Sequence, residues 1–228
     1  MFWQEEKEDI PAFEVPDDIV DLSFAIGCKC LPMDHAYALS AALQRALPWL
    51  AEEADAGLHL IHGAESGNGW YRPQDTEDAV IHLSRRTRMS LRLPKARIEE
   101  AAALQGTVLD VAGYPLEIGA SAVKKLCTLS TLFARHVIAD AGLSEQAFLE
   151  QVVAELRDLD IRVSKLMCGK SHDLHGPDGV THTRSVMIAD LDSEESVRLQ
   201  QKGIGPGRKI GCGLFIAHKG IKPVKETQ

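Results

Sequence analysis

The sequence predicts an α+β chain folded as two similar lobes, and three observations predict it. Strand-like and helix-like segments follow one another as strand–helix–strand–strand–helix–strand, and the same order then occurs a second time. A short stretch at 119–127 separates the two series. Hydrophobic residues make up 45% of the 228 positions, enough to fill a core in each half.

In the first half, residues 20–26 alternate as a strand. A helical pattern over 34–50 puts Ala36, Leu39, Leu43, Leu47 and Leu50 on one face, although Pro48 disturbs its last turn. A glycine-rich loop at 63–69 precedes two strand-like runs, 79–83 and 87–93, which read as a hairpin. A short helix at 96–104 and strand pieces at 108–111 and 115–118 complete the series. The second half opens with a strand at 128–138. Ser144 can cap a helix reaching about residue 159, with Leu143, Ala147, Val152, Leu156 and Leu159 as its apolar positions. Strands at 161–167 and 181–189 flank a polar, turn-rich stretch at 172–179. Asp192 and Glu195 are spaced as a capping box for a helix ending near Lys202, and 213–217 is the last strand. Two βαββαβ series make tandem ferredoxin-like lobes, at 20–119 and 127–219. The repeat is one of element order and not of residues.

No apolar stretch approaches the ~20 residues of a membrane helix, and the acidic start lacks the pattern of a secretory signal. Five cysteines at irregular spacing read as reduced thiols. Together these features predict a cytoplasmic protein. The net charge of −8 is concentrated at the N-terminus, where residues 1–21 hold eight acids against Lys7. Six basic residues and no acid lie between Arg85 and Arg97, and six lie from Lys202 onward against Glu226 alone. Local patches of this kind govern phosphate binding more directly than the total charge.

Residues 203–213 contain five glycines in addition to Arg208 and Lys209. Glycine permits positive φ and close backbone approach, so Gly203, Gly205, Gly207 and Gly211 can turn N–H groups toward a phosphate, with Arg208 and Lys209 as cationic donors. The spacing is not that of a P-loop, and a helix precedes the glycines instead of following them. The plain alternative is a flexible turn. In the strand near residue 88, Arg86, Arg88, Ser90 and Arg92 share one face and Thr87, Met89, Leu91 and Leu93 the other. With Arg85, the arginines form a candidate grip on an RNA backbone, against the alternative of surface ion pairing. His35 opens the first helix. A histidine can take a proton from a ribose 2′-OH or give one to the leaving 5′-oxygen, and Tyr37 and Arg45 are its candidate partners by sequence proximity. Cys28 and Cys30, or Cys168 with His172 and His175, offer metal ligands, but their spacings match no common zinc module. No metal or other cofactor is expected.

Three segments together carry a resemblance: 32–39 followed by Pro48, Trp49 and Leu50; the arginine strand at 85–93; and the glycine segment running through 203–219. With these, the sequence resembles CRISPR-associated endoribonucleases of the RAMP superfamily, the Cas family conventionally numbered six, and looks closest to its short Myxococcus-type subgroup. The resemblance spans most of 20–219. It implies two ferredoxin-like lobes of RAMP type and metal-free cleavage of CRISPR repeat RNA by the 2′-OH. It implies products ending in a 2′,3′-cyclic phosphate and a 5′-hydroxyl. It makes His35 the catalytic histidine, the repeat RNA hairpin the partner, and other Cas proteins of an effector complex further partners. His218 fits the terminal segment as a structural or RNA-contacting residue. A non-catalytic RNA-binding subunit on the same fold is the alternative.

Overall fold

The computed structural model describes residues 13–63 and 79–218. Its first lobe runs through β1 (Ile19–Gly27), β2 (Cys30–Pro32), α1 (Ala36–Ala46), β3 (Gly57–His59), β4 (Val80–His82), β5 (Arg88–Pro94), α2 (Ile98–Ala102), β6 (Val108–Val111) and β7 (Tyr114–Lys124). The main antiparallel sheet has the order β3-β5-β1-β7-β6. With the outermost β6 set aside, this is second, third, first and fourth strand of a βαββαβ unit. The second lobe comprises β8 (Leu132–Ile138), α3 (Glu145–Asp158), β9 (Lys165–Gly176), β10 (Gly179–Ala189), α4 (Ser193–Lys202) and β11 (Ile216–Ala217). Its sheet, β11-β8-β10-β9, repeats that order from the opposite edge, so both lobes are ferredoxin-like.

Period and capping explain most elements. Alternation along β1 and β5 sends Leu22, Phe24, Met89, Leu91 and Leu93 to one face, under Leu39 and Leu43 of α1. Each such fully buried side chain contributes about 1.5–3 kcal/mol. In the second lobe Phe148, Val152 and Leu156 of α3 pack with Leu132, Ala134, Val186 and Ile188. The Ser144 hydroxyl accepts from the Ala147 N–H, and Asp192 and Glu195 form the reciprocal capping box.

The structure corrects several boundaries. The second strand of the first lobe is β3, whose three residues are too few to show a period. The run at 79–83 does not pair with β5 as a hairpin. Instead β4 pairs with β2 in a separate two-stranded sheet, Leu31 opposite Ile81. Helix α1 stops at Ala46, and Pro48 begins a 3-10 turn. β7 continues to Lys124. The stretch 172–176 is strand and not turn, because β9 stays paired with β10 until Gly176 meets Gly179. Part of the 63–69 loop lies outside the described residues.

The lobes meet through polar contacts. On the sheet face opposite α1, Arg92 is 1% exposed. Its Nε and Nη2 donate to the two Asp21 carboxylate oxygens at 2.9 Å, and its Nη1 donates to the Gln200 and Phe215 carbonyls of the second lobe. The Tyr37 hydroxyl bonds Thr181 Oγ1 at 2.6 Å, and Gln201 donates to Asp18.

Candidate active site

His35 precedes the first turn of α1, but it is sealed into the core at 3% exposure. Its Nδ1 lies 2.9 Å from the Pro32 carbonyl and 3.2 Å from that of Met33, while Nε2 accepts the Ile61 N–H at 3.1 Å. Carbonyls only accept and an N–H only donates, so the proton sits on Nδ1 and the ring is neutral. Burial pushes its pKa below that of an ordinary histidine, against the opposing pull of those carbonyls. Both nitrogens bond the backbone in this structure.

Neither expected partner stands beside it as a catalyst. Tyr37 is an inter-lobe contact: its hydroxyl is on Thr181, and its ring lies where a side chain on Gly176 would go. Arg45 is exposed in the last turn of α1. Ten residues of helix rise separate it from His35, about 15 Å.

The cations and N–H groups of the glycine run make contacts within the protein. Arg208 donates to the Lys202 and Asp55 carbonyls, and Lys209 Nζ donates to the Glu53 and Ala56 carbonyls. These cations dock the second lobe onto the 3-10 turn and loop after α1. The N–H of Gly203 is taken by Leu199, that of Gly211 by Arg208 and that of Gly213 by His136. Gly205 donates to the Glu155 carboxylate at 2.6 Å, so an acid occupies the place expected for a phosphate. Positive φ is required: Gly213 has φ 69, and a Cβ there would stand 2.1 Å from the Ile204 oxygen. Gly207, with φ 88, opens the short 3-10 turn that presents Arg208 and Lys209. These contacts tie the run to both lobes.

Of the arginine face, Arg85, Arg86 and Arg88 are exposed at the start of β5, where Arg88 Nη1 caps the Arg85 and Thr87 carbonyls. Arg92 does not join them. The second lobe covers that end of the strand, and its guanidinium is consumed by Asp21 and two carbonyls.

A different cluster stands where the lobes face each other. A cavity of about 240 Å³ is lined by Asp21, His59, Ser90 and Lys124 from the first sheet, by His62 after β3, and by Arg135 and His136 of β8. His59 Nε2 is 3.3 Å from Asp21 Oδ1. Burial outweighs that carboxylate and lowers the His59 pKa. His62 is exposed to solvent along the cavity lining; its partial dehydration there, then the charge of Arg135, lowers its pKa as well. His136 Nδ1 is 3.0 Å from Thr183 Oγ1, and the His136 ring meets that of His172 edge-on with centroids 5.5 Å apart. No local sequence pattern unites this cluster, because its members come from five strands and a loop across 21–136. The spacing His59-x-x-His62 and the pair Arg135-His136 were its local traces. Among the described residues, no three His, Cys, Asp or Glu side chains converge to hold a metal ion. No described helix is long and apolar enough to cross a membrane.

A family model described as Cas6 Crispr matches residues 20–220. The chain belongs to the Cas6 family. Among its relatives, the CRISPR-associated endonuclease Cas6 of Myxococcus xanthus (strain DK1622) is 30% identical over 197 residues, 86% of this chain and 80% of the relative. A solved Cas6-related protein from Pyrococcus furiosus superposes with a TM-score of 0.59 at 12% identity, covering 88% of this chain and 99% of that one. A structure described as a RAMP protein binding different RNA substrates gives 0.57 at 14% identity, covering 86% and 98%. These structures share with this Cas6 chain the tandem ferredoxin-like fold of RAMP proteins. Within it, the histidines and cations between the lobes form its candidate reaction site.

Proposed function

We propose that this Cas6 chain is an endoribonuclease that cuts CRISPR repeat RNA. The ribose 2′-OH attacks the adjacent phosphorus, no metal takes part, and the enzyme stays on the repeat hairpin within a larger effector complex. One observation supports this reading above the others: a Cas6-family chain holds an imidazole-rich, cationic cavity between its lobes. Internal attack needs a base for the 2′-OH, an acid for the 5′-oxygen and positive charge near the phosphorane. Imidazoles with Arg135 and Lys124 supply all three chemistries. The exposed Arg85, Arg86 and Arg88 hold RNA phosphates outside the cavity.

The test is incubation of the purified chain, in EDTA, with repeat RNA transcribed from a CRISPR array beside its gene. Cleavage to a 2′,3′-cyclic phosphate and a 5′-hydroxyl is the expected result. Cleavage abolished by EDTA contradicts the metal-free step. A second reading, a non-catalytic RNA-binding subunit, is favoured by the burial of His35. Tight hairpin binding without any cleavage would establish it.

A further inference from the structure

We propose that His62 and His136 are the proton-transferring pair of this ribonuclease, that Arg135 holds the charge developing on the phosphate, and that His35 is a positioning residue for His62. The inference rests on the ribonuclease reading above and assigns its centre to residues that the sequence pattern did not single out.

The geometry begins at a β-bulge. Along β8 and β10, Val137 pairs with Arg184 and Ala134 with Val186. Arg135 and His136 therefore stand together opposite Ser185 alone. In a regular strand two successive side chains take opposite faces, whereas a bulge re-aims one of them. Here it brings both to the same cavity. At about 240 Å³, the space is below the ~300–1,000 Å³ of whole-ligand pockets, and its open cationic rim suits one ribose–phosphate unit of a longer strand.

The two histidines suit opposite tasks. His62 lines the cavity together with Arg135 and His136, and the charge of Arg135 and the neighbouring imidazoles opposes its protonation. That surrounding keeps it neutral, the form that accepts a proton. His136 is oriented by a defined bond. Thr183 Oγ1 donates its proton to the His172 carbonyl at 2.8 Å, so it can only accept from His136 Nδ1. Nδ1 thus carries a hydrogen, and any proton His136 exchanges with substrate is at Nε2. His35 acts one residue away. Its Nε2 fixes the Ile61 N–H while its Nδ1–H is anchored at Pro32 and Met33, so the buried ring sets the backbone that carries His62 into the cavity.

The step balances as follows. The 2′-OH proton moves to neutral His62 as the 2′-oxygen bonds phosphorus. The bond from phosphorus to O5′ breaks with its electron pair on O5′, and protonated His136 supplies the proton that makes the 5′-hydroxyl. A 2′,3′-cyclic phosphate remains, and solvent returns the proton from His62 to His136.

The test uses full-length protein, the same repeat RNA in EDTA, and single-turnover rates beside binding measured by filter retention. His62→Gln and His136→Gln should each slow cleavage by about 10²–10⁴-fold with affinity within about threefold of wild type. His62→Gln should lose the rising limb of the pH–rate profile and His136→Gln the falling limb. Replacing the bridging O5′ by sulfur at the cut site creates a leaving group that needs no acid. It should restore His136→Gln and leave His62→Gln slow. His35→Ala should slow cleavage yet keep both limbs. Rates of both glutamine variants within tenfold of wild type, or sulfur rescue of neither, overturn the assignment. A limb lost in His35→Ala returns the chemistry to His35. A wild type that cuts no repeat RNA defeats the ribonuclease reading itself, and this assignment with it.

Discussion

Replacing Arg92 by methionine should unlatch the two lobes. Methionine keeps much of the apolar stem and removes the guanidinium. Three groups then lose their donor: the Asp21 carboxylate, held at 2.9 Å through both oxygens, and the carbonyls of Gln200 and Phe215. Asp21 is 21% exposed and retains only His59 among its charged partners described here. Removing one member of a buried ion pair costs about 3–5 kcal/mol, and each buried carbonyl left unpaired costs about 1–3 kcal/mol. Water entering the gap offsets part of this, so the expected loss is about 3–5 kcal/mol, a large fraction of the ~5–15 kcal/mol that keeps a domain folded. Urea unfolding followed by circular dichroism measures it. Asp21→Asn added to Arg92→Met removes the stranded charge and should recover more than about 1 kcal/mol. Acid dependence gives a further sign. Burial alone would raise the Asp21 pKa, but Arg92 and His59 outweigh it and hold the carboxyl well below the usual range. Its stabilisation is full above ~3.9, the unfolded value, and is lost as pH falls through the lower folded value. Arg92→Met should weaken that acid transition. A loss below about 1 kcal/mol, or a double variant no more stable than Arg92→Met, would refute the reasoning.

Lys209→Met should destabilise the fold by about 1–3 kcal/mol by stranding the Glu53 and Ala56 carbonyls, without altering the salt dependence of RNA binding. A fall of about 0.7–0.9 in the slope of log affinity against log salt would instead mark a phosphate contact. Because buried His35 stays neutral while the unfolded chain takes up a proton near ~6.5, wild-type stability should fall as pH drops below that value. This one group contributes at most about 1.4 kcal/mol per pH unit. Urea midpoints at several pH values should show a shallower slope for His35→Gln, and an equal slope would contradict the neutral ring. Gly213→Ala must hold φ 69 with its Cβ 2.1 Å from the Ile204 oxygen. The backbone alone costs about 1–2 kcal/mol, so a thermal midpoint unchanged within about 2 °C would show that the glycine run is not tight.

What was legible in the sequence was whatever repeats locally. The apolar faces of α1 and α3, the capping box at Asp192 and Glu195, and the alternation of β5 each depend on neighbours within a few residues, and each element formed. The three-residue β3 carries too little pattern to read, and β4, legible as a strand at 79–83, finds its partner in β2, about fifty residues earlier. The 172–176 stretch looks like turn because its residues are mostly polar or glycine, with Leu174 alone supplying a buried apolar side chain, while its backbone is paired throughout. At the site, residue chemistry was visible but its use was not. Arg92 has the parity of a solvent-facing residue, and only the docking of the second lobe buries it. Arg208 and Lys209 are cations in a glycine loop, as a phosphate site would need, but three of the four carbonyls they hold lie about 150 residues earlier in the chain. His35 sits where the family resemblance places a catalyst, but its burial is a property of the whole core. His62 and His136 are seventy-four positions apart, and only the meeting of the two sheets joins them.

The central claim is that the RNA cuts itself with its own 2′-hydroxyl in the cavity between the lobes. One measurement tests it most directly: single-turnover cleavage, in EDTA, of repeat RNA carrying a single 2′-deoxynucleotide on the 5′ side of the mapped cut. Binding should be unchanged and that bond should stay intact, because the nucleophile is gone and internal attack has no substitute for it. Cleavage of the deoxy substrate at the ribose rate would contradict it.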